Sequence, residues 1–208
     1  MRGSAVMHAL LLGLLLIFTF SMAIAPGDHL SAQTTATIFW ISSLFCVVLL
    51  FNQLFSVEET NGSRLALLLL PYASQLIWLA KTCTGFFLLF ISQLVFCPAS
   101  IVFLGHTPEI SALGLWLSGI LLVDIGLCSL GTLLGALSQG QVSKESLLSV
   151  LLFPLLTPLL LAGISIYSQA LERTQETLND WFFLILAFDC IFVAVTIFLF
   201  PFIYSGDE

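Results

Sequence analysis

The chain has 208 residues, of which 59% are hydrophobic and only 8% charged. So few polar residues cannot coat an apolar core in water, which excludes a water-soluble domain and leaves a polytopic membrane protein. The formal charge of −7 says little about a binding face, because the charges sit between apolar runs, and nucleic acid is not expected as a partner.

Apolar runs cover about residues 5–25, 35–55, 82–104, 112–137, 147–167 and 181–204. Each is long enough to cross a bilayer as a helix, which takes about 20 residues. The predicted fold is an all-α integral membrane protein, with six transmembrane helices in one transmembrane domain over 1–208 and both termini on one side. The first run also has signal-peptide features: Arg2, a leucine-rich stretch and Ala23-Ile24-Ala25 as a cleavage site. Its length suits a span and the chain re-enters the membrane directly afterwards, so it is read as the first span.

Residues 56–81, between the second and third runs, are too elaborate for a simple connector. They contain Glu58 and Glu59, the turn pair Asn61-Gly62, Ser63 and Arg64, an aliphatic stretch with Leu65, Leu67, Leu69 and Leu70, then Pro71 and Lys81. The aliphatic stretch is too short to span a bilayer and too apolar to stand bare in water. It is predicted to form a short helix, capped by Ser63 and ended by Pro71, that needs a partner surface or the membrane interface. Ser74 is expected to cap the next helix.

Arg2, Arg64, Lys81 and Lys144 fall at the N-terminus and in the second and fourth loops, against Arg173 alone in the odd-numbered loops. This bias places residues 56–81 and both termini in the cytoplasm. Histidines His29 and His106 then share the outer face, where paired imidazoles could serve as axial haem ligands; solvated loop residues are the plainer reading.

Inside the fourth run, Gly131 and Gly135 form a G-x-x-x-G, which allows close helix approach. Packing within one subunit is the plainer reading, and a homodimer interface the alternative. Pro154 and Pro158 in the fifth run each delete a backbone donor, predicting a kink and a moving part. Gly135 to Gly140 start like a phosphate-binding loop, but Gln141 and Val142 stand where lysine and a hydroxyl residue are needed, so no ATP hydrolysis is expected of this chain. Asp124 and Asp189 lie deep in apolar runs, where charge costs about 2.5 kcal/mol or more. They are candidates for an intramembrane polar site, as a proton or substrate path or as interhelical hydrogen bonds. All five cysteines fall inside apolar runs with no metal spacing, and are read as small buried hydrophobes.

Several stretches carry a family resemblance: Ala25-Pro26-Gly27, Ile41-Ser42-Ser43-Leu44, Gln53-Leu54-Phe55, Glu58-Glu59, Gly62-Ser63, Leu68-Leu69-Leu70-Pro71, Leu79-Ala80-Lys81, and the proline-spaced LLSVLLFPLLTPLL that starts at Leu147. Together they resemble the CcmB, or heme exporter protein B, family along nearly the whole chain. Members begin with a longer basic, amphipathic segment than the few residues that precede the first span here, so a contact made by that segment is not carried over. The resemblance implies an ABC-2-like permease of the bacterial inner membrane. Such a subunit joins a separate ATP-binding subunit, a haem-handling membrane protein and a haem chaperone in cytochrome c maturation, with haem as cargo of the complex. Residues 56–81 would then receive the ATP-binding subunit through Glu58, Glu59, Arg64 and the short helix, a common recognition mode. The alternatives are a proton-coupled secondary transporter using Asp124 and Asp189, and a membrane scaffold that moves nothing.

Overall fold

The computed structural model describes residues 2–24, 30–60, 62, 66–67, 69, 71–107, 112–138, 142–172 and 178–205. Six long helices account for nearly all of them: α1 (Arg2–Met22), α2 (Ala32–Thr60), α3 (Ser74–Leu104), α4 (Leu113–Ser138), α5 (Val142–Glu172) and α6 (Leu178–Ser205). Lipid offers no partner for a bare peptide group, so an apolar chain crosses it as a helix that satisfies its own backbone. Five of the helices are long and apolar enough to cross a membrane. The apolar part of α1, Val6–Met22, stands at the lower end of the 17 to 25 residues that a span needs.

Local chemistry sets the ends. Ser31 caps α2, its Oγ accepting from the Thr34 backbone N–H at 3.1 Å, which satisfies one of the donors orphaned at a helix start. At the end of α3, Gly105 takes the left-handed conformation (φ 77°) and its N–H bonds Ile101 O, a glycine stop. Two expectations change here. α3 begins at Ser74, eight residues before the expected span, and α2 continues five residues past its expected end. Ser74 does not cap α3: Ala73 occupies the cap position, in extended conformation, with no side-chain hydrogen bond. The helices outrun the apolar runs because hydrophobicity ends at the membrane edge while backbone hydrogen bonding does not.

α2 and α4 form the centre of the bundle, with 67% of their apolar windows buried, against 22% for α6. Glycine makes this close packing feasible. The Phe51 ring of α2 lies where Gly85 of α3 and Gly131 of α4 would carry a side chain, and the Phe55 ring occupies the same place at Gly135. The G-x-x-x-G is thus filled by two phenylalanines of the same chain, four residues apart on α2. The same device recurs on α1, where Gly13 receives Phe96 of α3, and on α5, where Gly163 receives Trp40 of α2. α1 packs along α2 and α3 as an integral helix, with Ala9 and Ile17 fully buried. α5 stays helical through Pro154 and Pro158.

Candidate functional site

Two groups of polar side chains are enclosed by this bundle. The first lies midway along it. Ser43, Gln93, Asp124 and Asp189 each stand 11 residues from Ala32, Leu104, Leu113 and Leu178, the ends of their helices on one side. At 1.5 Å per residue that is about 16 Å, the half-thickness of a bilayer's hydrocarbon core. Gln93 Nε2 donates to Asp124 Oδ1 at 2.8 Å and lies 3.4 Å from Ser43 Oγ, which joins α2, α3 and α4. Asp124 is wholly buried; its second oxygen Oδ2 and Gln93 Oε1 have no hydrogen-bond partner among the described residues.

Asp189 is buried nearly as deeply, yet it is not part of that network. Its carboxylate lies against Gly126 of α4, and neither oxygen has a hydrogen-bond partner among the described residues. The structure therefore does not join the two acids of the candidate intramembrane site through a shared hydrogen bond. Nearer the other end of α4, Ser129 meets Thr196 of α6 at 3.0 Å, and Thr132 meets Thr82 of α3 at 2.9 Å.

The second group closes the end of the bundle from which residues 61–73 emerge. Lys81 Nζ lies 2.6 Å from Glu58 Oε2, its side chain only 6% exposed. The same carboxylate oxygen accepts from Tyr204 Oη at 3.1 Å. Below the ammonium, the Phe55 ring centroid is 3.7 Å away, a cation–π distance well inside the usual limit of about 6 Å. One lysine thereby ties the end of α2, the start of α3 and the end of α6. Sequence reasoning placed Lys81 in the loop for its charge and missed this role. The signal for it was its position beside the third apolar run, since buried lysines are rare unless paired.

Between the stems of this clasp, Gly62 lies in a turn with φ 64°, the left-handed region that favours glycine. Ala66 and Leu67 are helical, Leu67 is half-buried, and Leu69 is 85% exposed. Pro71 is exposed at a bend just before α3. The side chain of Glu59 and residues Ser63, Arg64, Leu65 and Leu70 lie outside the described residues, as do half of the expected short helix over 65–70 and its Ser63 cap. His29 also lies outside them. His106 is held by contacts of its Nδ1 with Thr35 Oγ1 and Leu104 O, each at 3.3 Å. Among the described residues, no cluster of three or more histidine, cysteine or acidic side chains could hold a metal ion.

Comparison with known proteins adds a family. The model of the family described as CcmB protein matches residues 1–205. Two relatives are named "Heme exporter protein B". The protein from Haemophilus influenzae is 26% identical over 172 residues, covering 81% of this chain and 76% of its own. The Pseudomonas aeruginosa protein is 25% identical over 171 residues, covering 82% and 76%.

Proposed function

We propose, from the premise that this chain belongs to the CcmB protein family, that it is the membrane-spanning permease subunit of an ABC-type complex in cytochrome c maturation. A separate ATP-binding subunit supplies the hydrolysis, and the cycle is linked to haem handling or to release of a haem-loaded chaperone. A haem-handling membrane protein and that chaperone are the other partners, in a bacterial inner membrane with both termini in the cytoplasm. Two copies would meet through a face other than the G-x-x-x-G, which Phe51 and Phe55 already occupy.

The observation that carries the coupling role is the contrast between a fixed base and an offered tip. Glu58 and Lys81 brace the stems of the loop at 2.6 Å, while Leu69 stands 85% exposed beyond them. Leu69 thus offers apolar surface at a braced loop that a partner would gain by burying. The partner contact is assigned to Leu65, Leu67, Leu69 and Leu70, with Glu59 and Arg64 setting orientation. Glu58 serves from inside, as part of the brace.

The test is the double variant Leu67→Asp with Leu69→Asp. It removes burial of about 1.5 to 3 kcal/mol per leucine and adds charge to the interface. The protein should insert and accumulate, lose the ATP-binding subunit on co-purification, and fail to support haem attachment to c-type cytochromes. A double variant that accumulates, keeps that subunit and supports maturation would refute the coupling role. Reporter fusions at Arg64 and Glu208 should both read cytoplasm; an external Arg64 excludes contact with any cytoplasmic ATP-binding subunit.

A further inference from the structure

The chain leaves α2 at Thr60 and enters α3 at Ser74. An untethered loop of that length would swivel about its two stems, and a push on its tip would be dissipated in bending. The Glu58–Lys81 contact lies two residues before the exit and seven after the entry. The first seven residues of α3 thus project about 10 Å past the brace, at 1.5 Å per residue. Both stems, and α6 through Tyr204, are joined at that one point.

The choice of lysine is informative. Lys81 is as buried as its neighbour Trp78, and well-packed apolar residues generally stabilise such a site at least as well as an ion pair does. An ion pair specifies which group the ammonium faces, which apolar packing alone does not. Phe55 beneath the ammonium, itself seated on Gly135, fixes the position of the cation against the central helix α4.

We propose that Lys81 is a positioning residue for partner coupling. By holding Glu58 and Tyr204 across the base of residues 61–73, it makes the loop and the inner ends of α2, α3 and α6 move as one body when the ATP-binding subunit presses on the tip. This rests on the coupling role proposed above. Lys81 does not touch the partner; it decides where a push on the loop is delivered.

The experiment uses the full-length chain in its assembled complex and reads two quantities separately: the amount of ATP-binding subunit that co-purifies, and the haem attached to c-type cytochromes in the same cells. Lys81→Met should accumulate and keep the partner at the parental level, since the loop leucines are untouched. Its maturation output should fall by about tenfold, within the range by which residues lying between two sites alter their coupling. Lys81→Arg, which retains the cation over Phe55 and the pairing with Glu58, should recover most of that output.

Full output from Lys81→Met overturns the positioning role, and so does an arginine variant as defective as the methionine one at equal protein level. Should Lys81→Met fail to accumulate, Tyr204→Phe carries the test. It deletes one O–H while keeping the ring stacked on Phe200, and should retain the partner with a partial loss of output; unchanged output refutes the proposal. The underlying coupling role fails by a different sign, namely partner retention and maturation in the Leu67→Asp, Leu69→Asp variant. Normal output from Lys81→Met beside partner loss in the leucine variant removes only the positioning role.

Discussion

The clasp at the loop end and the polar layer at mid-bundle both bury polar groups in a protein built from lipid-compatible helices, and they do so in opposite ways. At the end of the bundle, full charges meet: an ammonium, a carboxylate and an aromatic face, with a phenol as second donor. At the middle, an amide meets a carboxyl group and no basic side chain is present at that depth. The difference follows the cost of charge with depth. At the end of the bundle Lys81 is buried with its charge paired to Glu58, whereas at the centre every unpaired charge is expensive, so a contact that works with a neutral carboxyl is the sustainable one.

If that contrast is correct, substitutions should rank by how much charge they leave stranded. Lys81→Met leaves the Glu58 carboxylate, mostly enclosed, without its cation. A broken buried pair costs about 3 to 5 kcal/mol, and the partial exposure of Glu58, 19%, brings the expectation toward the lower bound. Thermal unfolding in detergent should show it as the largest loss of the series. A melting point equal to the parent's would show that the pair does not hold the fold together.

Asp124→Leu comes next. It removes the acceptor of the Gln93 amide and leaves a buried donor unpaired, at a cost of about 1 to 3 kcal/mol. Replacing Gln93 as well, with Gln93→Leu, should return much of the loss, because the stranded partner goes too. A double variant no better than the single one would show that Asp124 matters for something other than Gln93.

Asp124→Asn should be nearly silent, within the roughly 0.6 kcal/mol that interhelical hydrogen bonds average in membranes, since an asparagine oxygen still accepts from Gln93. Asp189→Asn should be smaller still in stability, or favourable, because neither carboxylate oxygen has a partner to lose among the described residues. Under the proposed function, both variants should sustain cytochrome c maturation. Asp189→Asn that folds as well as the parent yet abolishes maturation would give this acid a working role and favour the proton-coupled alternative.

Much of this architecture was legible in the linear order of residues. The apolar runs marked where the helices lie, and the resemblance of the Glu58-to-Pro71 stretch and the Pro154, Pro158 pair pointed to the family that the comparison shows. The G-x-x-x-G was read as packing within the subunit, and Gly131 and Gly135 receive Phe51 and Phe55 in just that way. Glu58 and Lys81 were both picked out, but as members of a loop rather than as each other's partners. Ser74 was read as a cap, although the helix start is set by the extended backbone of Ala73.

What the sequence determined by itself is therefore the set of helices and the approximate depth of each residue along them, because hydropathy and rise per residue are local properties. Only the tertiary structure decided that Asp124 faces Gln93 while Asp189 faces the bare backbone of Gly126, and that Lys81 turns inward to Glu58, Phe55 and Tyr204. Those pairings depend on how each helix is rotated about its axis and which helix stands beside it. That is settled jointly by side chains as far apart in sequence as Glu58 and Tyr204, through packing that no single stretch of the chain contains.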